Sequence, residues 1–160
     1  MAEKQVLRDV TPEVVAEVRA MIAGARYGAL ATLATDDGWP VATRVGLATF
    51  EGEPLILVSS LAAHTGALRA DPRCSLLIGE VGKGDALAHP RVTLRCRAEE
   101  IARDAPERVA TREAYLAANP KAAIYADLGD FAFMRLRIES ASFNGGFGKA
   151  YALSRNDLAG

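Results

Sequence analysis

The sequence predicts a mainly β fold with flanking helices, an antiparallel barrel of the α+β class. Three observations carry this. Several short strand-like runs are separated by tight turns rather than by regular helices. Residues Arg91 to Ala98 alternate cleanly, with Val92, Leu94, Cys96 and Ala98 on one face and Arg91, Thr93, Arg95 and Arg97 on the other. The helical patterns are confined to the start of the chain and to the stretches around the strands, an order unlike that of a doubly wound sheet.

Taken in order, Thr11-Pro12-Glu13 is a helix start: a hydroxyl cap, a proline at the first helical position and an acid near the dipole's positive end. Val14, Val15, Val18, Met21 and Ile22 then recur at helical spacing until Gly24. A strand from Tyr27 to Thr35 is broken by Asp36-Asp37-Gly38. A second runs from Val41 to Phe50, and after the turn at Glu51-Gly52 a fully apolar Leu55-Ile56-Leu57-Val58 reads as a strand covered on both faces. Leu61 to Ala70 is predicted helical and Cys74 to Ile78 a buried strand, with a loop around Lys83. A helix is expected from Asp104 to Ala118, capped by Asp104 with Pro106 inside its start, then a helical turn from Lys121 to Asp127. Phe131 to Ile138 and Ala141 to Phe147 are the last two expected strands. No repeat or low-complexity tract divides the chain, so residues 1–160 are expected to form one domain.

Nineteen basic residues stand against twenty acidic ones, a formal charge of −1, which offers no broad field for nucleic acid. No segment approaches the roughly 20 apolar residues of a membrane helix. The segment Met1 to Gln5 lacks the basic start and apolar run of a signal peptide. Cys74 and Cys96 lack a CxxC spacing and lie in apolar runs, as buried free thiols would. These features lead us to expect a cytoplasmic location, without nucleic acid or membrane as partner.

Arg44 shares its strand face with Ala42, Gly46 and Ala48, which leaves room beside its guanidinium for a flat ligand or a phosphate. A solvent-facing arginine gives the same pattern. Ser59, Ser60, His64 and Thr65 lie where an apolar strand meets a helix start, an arrangement suited to an anion or to ordinary capping. His64 and His89, the two histidines, lack a partner at metal-ligand spacing, so no metal site is expected. Gly82-Lys83-Gly84 and Gly148-Lys149-Ala150 fail the phosphate-loop pattern: Leu77 and Phe143 replace its first glycine, and Gly84 and Ala150 its Ser or Thr. Both loops still bring a lysine to a tight turn. Arg91, Arg95 and Arg97 form a basic strand face, either solvated or bordering a groove.

Several stretches in this order resemble the FMN-binding split-barrel superfamily of pyridoxamine 5′-phosphate oxidase, and within it the heme-utilisation branch. They are Arg26 to Leu33, Pro40 to Val45, Leu57 to Thr65, Leu68 to Leu77, Gly82 to Leu94 and Gly145 to Ala150. The resemblance implies a split barrel, a homodimer and FMN at the subunit interface. It implies that Thr43, Arg44 and Val45 lie along the flavin and that Ser59, Ser60, His64 and Thr65 cradle its phosphate. Lys83 could substitute as a cation there, Arg91 falls near the flavin ring, and Phe147 and Lys149 would come from the partner subunit. Where the oxidases use an Arg-Lys pair for the phosphate, this chain has Ala63 and His64. The oxidases' substrate-binding basic residues have no clear match, and no histidine follows His89 where longer heme-utilisation proteins ligate iron.

The function expected from all this is FMN-dependent oxidoreductase chemistry on an unidentified small substrate, with the flavin carrying the redox step and no side chain assigned as acid or base. The alternatives are a heme-binding protein, with or without flavin, and a non-enzymatic regulatory partner on the same fold.

Overall fold

The computed structural model describes residues 6–159, so the expectation drawn from Met1 to Gln5 lies outside the described residues. Helix α1 spans Pro12–Gly24, and the Thr11 hydroxyl accepts from the Val14 N–H as its sequence predicts. The strands are β1 (Tyr27–Leu33), β2 (Pro40–Gly46), β3 (Ala48–Phe50), β4 (Glu53–Ser59), β5 (Arg73–Ile78), β6 (Arg91–Ile101), β7 (Phe131–Asn144) and β8 (Ala150–Ser154). Helices α2 (Ala63–Ala70), α3 (Arg108–Ala118) and α4 (Arg155–Leu158) complete the set, with 3₁₀ turns at Ala86–Ala88 and Pro120–Ile124.

All eight strands join one antiparallel half-barrel sheet in the order β2-β1-β5-β6-β7-β4-β3, with β8 pairing the far end of β7. The long strands β6 and β7 form its spine, and a β-bulge at Arg95/Cys96 lets them bend so that β4 can pair with the near half of β7. The main core lies against the inner face, where Leu30, Leu76, Leu94 and Phe143 are closed from solvent and α1 contributes Val14, Val18 and Ile22. A smaller core packs α3 and the Pro120–Ile124 turn on β3, β4 and β7 through Tyr115, Ala122 and Phe133. No helix among the described residues is long and apolar enough to cross a membrane.

Four expectations change. The strand predicted over Val41 to Phe50 is two, broken where the Leu47 N–H leaves the ladder to donate to the Arg26 carbonyl at 2.9 Å. The α2 helix starts at Ala63 rather than Leu61, because the Ser59 hydroxyl accepts from the Leu61 N–H and folds 59–62 into a turn. The α3 helix starts at Arg108, not at Asp104, and no side chain caps it; Glu107 is its capping residue. Finally, the two strands expected over 131–147 are one, β7, and β8 follows a glycine hairpin.

Candidate functional site

Strand register decides what each residue can reach, because directly opposed residues share a face. On β2, Thr43 and Arg44 therefore part company. Thr43 pairs with Leu30 and faces inward, whereas Arg44 pairs with Ala29 and faces out. Val45, again inward, is buried in the main core. The inward set meets α2: Thr43 Oγ1 and His64 Nδ1 are hydrogen-bonded at 3.2 Å. Burial without a compensating anion lowers the His64 pKa, so its imidazole is neutral at pH 7.

The Ser59-to-Thr65 segment bonds in part to itself. Thr65, fully buried, donates its hydroxyl to the Ser59 carbonyl, and the Ser59 hydroxyl accepts from the Leu61 N–H at 3.2 Å. The Ser60 N–H donates to the Asp130 carbonyl at 2.7 Å. Ser60 itself is exposed. With Ala63 and a neutral His64 in this turn, no cation stands here.

The remaining predicted residues gather elsewhere. Lys83 is exposed in the loop before β6, and its carbonyl accepts from His89 Nε2 at 2.8 Å, which makes that ring nitrogen the donor. Arg91 donates to the carbonyl of Leu87 at 3.1 Å. Gly146 of the β7–β8 hairpin lies close under the Ala88 carbonyl, so exposed Phe147 and Lys149 sit beside this loop. Among the described residues no hydrogen bond, ion pair or stacking contact joins this group to Thr43, Ser59, His64 or Thr65.

What register exposes is an open outer face on β2, β1, β5, β6 and β7. One row across it reads Arg44, Ala29, Leu77, Thr93, Ser142 and the next Ala42, Ala31, Ser75, Arg95, Ser140. At about 4.8 Å between strands, each row is roughly 19 Å wide. Apart from Leu77 and the two arginines the floor is small side chains, and both charges are positive. Arg44 lies 6.0 Å from the centroid of the exposed Tyr27 ring. A groove of about 550 Å³ crosses this face, lined among others by Ala31, Leu33, Pro40, Arg73, Ser75, Arg95, Arg97 and Ser140. Arg95 and Arg97 were legible from the alternation of β6. Arg73, Ser75 and Ser140 were not, since only the pairing of β5 and β7 with β6 brings them there.

The cysteines border that groove as free, buried thiols, directly opposed across β5 and β6. Burial pushes the Cys74 thiol up to about 11 and raises Cys96 as well, so both are protonated at pH 7. A larger cavity, about 960 Å³, is lined by residues of α1 and α4. Its charges neutralise one another: Arg137 pairs with Glu53 at 2.9 Å and Glu99 at 3.1 Å, and Arg155 with Glu139 at 2.5 Å. The Glu53 carboxylate also accepts from the Ile138 N–H at 2.8 Å, tying the β3–β4 turn to the bulged strand. That cavity is bound up with holding the fold.

Comparison with known proteins agrees with this architecture. The family model described as pyridoxamine 5′-phosphate oxidase matches residues 14–145. The non-canonical heme oxygenase HOZ, chloroplastic, of Arabidopsis thaliana is 34% identical over 139 residues, which are 86% of this chain and 42% of that protein. A solved structure described as a heme binding protein from Mycobacterium smegmatis is 36% identical, with a TM-score of 0.85, and the match covers 94% of this chain and 62% of that one. ChuZ of Campylobacter jejuni shares the fold, with a TM-score of 0.81 at 18% identity, over 94% of this chain and 63% of its own. The chain thus spans less than two thirds of the length of each of these relatives.

Proposed function

The chain belongs to the pyridoxamine 5′-phosphate oxidase family, and from that premise we propose that it binds heme as a homodimer, with the tetrapyrrole on the open sheet face. The observation that carries this reading is the face itself. A planar, largely apolar ring bearing carboxylates needs a flat floor of small residues and cations at its margin. Ala29, Ala31 and Ala42 supply the floor, and Arg44 and Arg95 the charges, with no acid in either row. Two relatives above one third identity, one described as a heme oxygenase and one as a heme binding protein, support the same choice. A second copy of the chain covers this face, since Tyr27 and Leu77 are each left close to half exposed on it.

FMN, the cofactor that the sequence resemblance implies, fits less well. A flavin phosphate is held best by charged partners, and the Ser59-to-Thr65 turn supplies none, with Ala63 and a neutral His64 in it. Arg44 and that turn also belong to opposite faces of β2. Heme is here a bound substrate or cargo; the chain's part is to hold the ring and shield it from water.

The test is an absorption titration of the purified protein with hemin and, separately, with FMN, alongside its sedimentation behaviour. A saturable Soret shift on a dimer is expected. Loss of that band on adding ascorbate and oxygen would extend the reading to heme degradation. Saturable FMN binding without specific hemin binding would replace it by the flavoprotein, and no response to either would favour the regulatory partner.

A further inference from the structure

The geometry points to a dedicated carboxylate-binding end within the sheet groove, built from Arg95 between Ser75 and Ser140; this rests on the reading of the open face as a tetrapyrrole site. Three observations converge on it. The first is charge. Arg73, Arg95 and Arg97 all line the groove, yet Arg73 is matched by Asp71 at 2.6 Å and Arg97 by Glu139 at 3.4 Å. Among the described residues Arg95 makes no ion pair. The Arg73 guanidinium holds the Asp71 carboxyl down at about 2, so Asp71 stays ionised beside Arg73 across the physiological range. Arg95 is left as the groove's unmatched cation.

The second is register. Ser75 and Ser140 are the direct partners of Arg95 on the strands to either side. Hydroxyl, guanidinium and hydroxyl therefore share one face, about 5 Å from strand to strand. A guanidinium fork binds carboxylate bidentately, and flanking hydroxyls serve the remaining lone pairs. In the adjoining row Thr93 and Ser142 are neighbouring hydroxyls, but Arg44 stands three strands from Thr93, so no guanidinium is flanked there. Guanidinium and flanking hydroxyls are thus gathered at one place on the floor, the clustering that a ring with its acids on one edge requires.

The third is the β-bulge. Arg95 pairs with Ser140 but Cys96 pairs with Ile138, so Glu139 is the extra residue on β7. Bulges re-aim side chains and interrupt pairing beside functional sites. Here the extra carboxylate is drawn away to Arg155 at 2.5 Å and to Arg97. The one acid in the groove lining is thereby occupied, and the groove keeps its positive balance.

Hemin and hemin dimethyl ester separate the roles, because esterification removes the carboxylates and leaves the ring. Titrated into the wild-type protein, Arg95→Ala and Arg95→Lys, hemin should bind Arg95→Ala about tenfold more weakly, with part of the loss recovered in Arg95→Lys. The ester should bind wild type and Arg95→Ala alike. Arg95 is exposed, so the variants should fold, and Ser75→Ala/Ser140→Ala gives a second route, with a smaller loss confined to hemin. Unchanged hemin affinity in Arg95→Ala overturns the inference while leaving heme binding intact. Equal weakening of hemin and ester overturns it too, since Arg95 would then only support the floor. A wild type that binds no hemin overturns the tetrapyrrole reading itself, and that result is visible before any variant is made.

Discussion

The two faces of one sheet were composed for different ends. Across the inner face the register row reads Thr43, Leu30, Leu76, Leu94, Ala141, Leu153; across the outer face, one residue along, it reads Arg44, Ala29, Leu77, Thr93, Ser142, Ala152. The inner row is branched aliphatics at its centre, closed from solvent and packed under α1. The outer row substitutes small residues at nearly every position and keeps its bulk at Leu77 and Arg44. Period-2 geometry makes this separation nearly complete, because no side chain can serve both faces. Stability and binding are therefore assigned to alternate residues of the same strands, and substitutions should resolve them.

The largest effect is expected inside. Leu94→Ala leaves a cavity at a fully buried position and should cost about 2–5 kcal/mol. Thr93→Ala, its exposed neighbour, should cost within about 0.5 kcal/mol. Urea midpoints of the two variants measured side by side test the separation; similar losses would mean that the outer face is covered in the monomer after all. The converse experiment is Ala31→Glu. A carboxylate in the middle of the outer face should leave the midpoint within about 0.5 kcal/mol of wild type. It should also weaken hemin binding at least tenfold and shift the protein towards monomer on a sizing column, because like-charged and desolvated groups oppose both ring and partner. Normal hemin affinity in a folded Ala31→Glu protein would remove the ligand from this face.

The sequence reached further into the inner face than the outer one. The α1 helix was legible to the residue because Thr11, Pro12 and Gly24 act locally. The β6 strand was legible from alternation alone, although its last three residues continue beyond the expected end. Glu139-Ser140 separates the two strands expected over 131–147, yet it belongs to a bulge within one; a polar pair has the same local appearance in either role. Asp104 and Pro106 looked like a helix start, but the chain from 103 to 107 is a turn, with Arg103 tied to the carbonyls of Asp127, Leu128 and Phe131 instead. At the candidate site, the sequence made Arg44, His64 and Arg91 visible as residue types. It could not say that Arg44 and His64 take opposite faces, nor that Ser75 and Ser140 flank Arg95, since those facts belong to strand pairing.

The smallest effect concerns the point where α2 meets the inward side of β2. His64 is bonded to Thr43 and partly buried without an acid beside it, so its folded-state pKa lies below the usual value near 6.5. Below that value the unfolded chain takes up a proton that the folded chain resists. The contribution of His64 is therefore whole above pH 6.5 and is lost as pH falls through 6.5 towards the lowered folded pKa. Because the ring is only partly buried, the effect should be slight. Thermal melts at pH 7.5 and 5.5 should show a modestly larger fall in Tm for the wild type than for His64→Asn, which cannot take up the proton. An identical fall in both would show that His64 titrates as freely when folded as when unfolded, and the contact with Thr43 would then be as wet as the outer face.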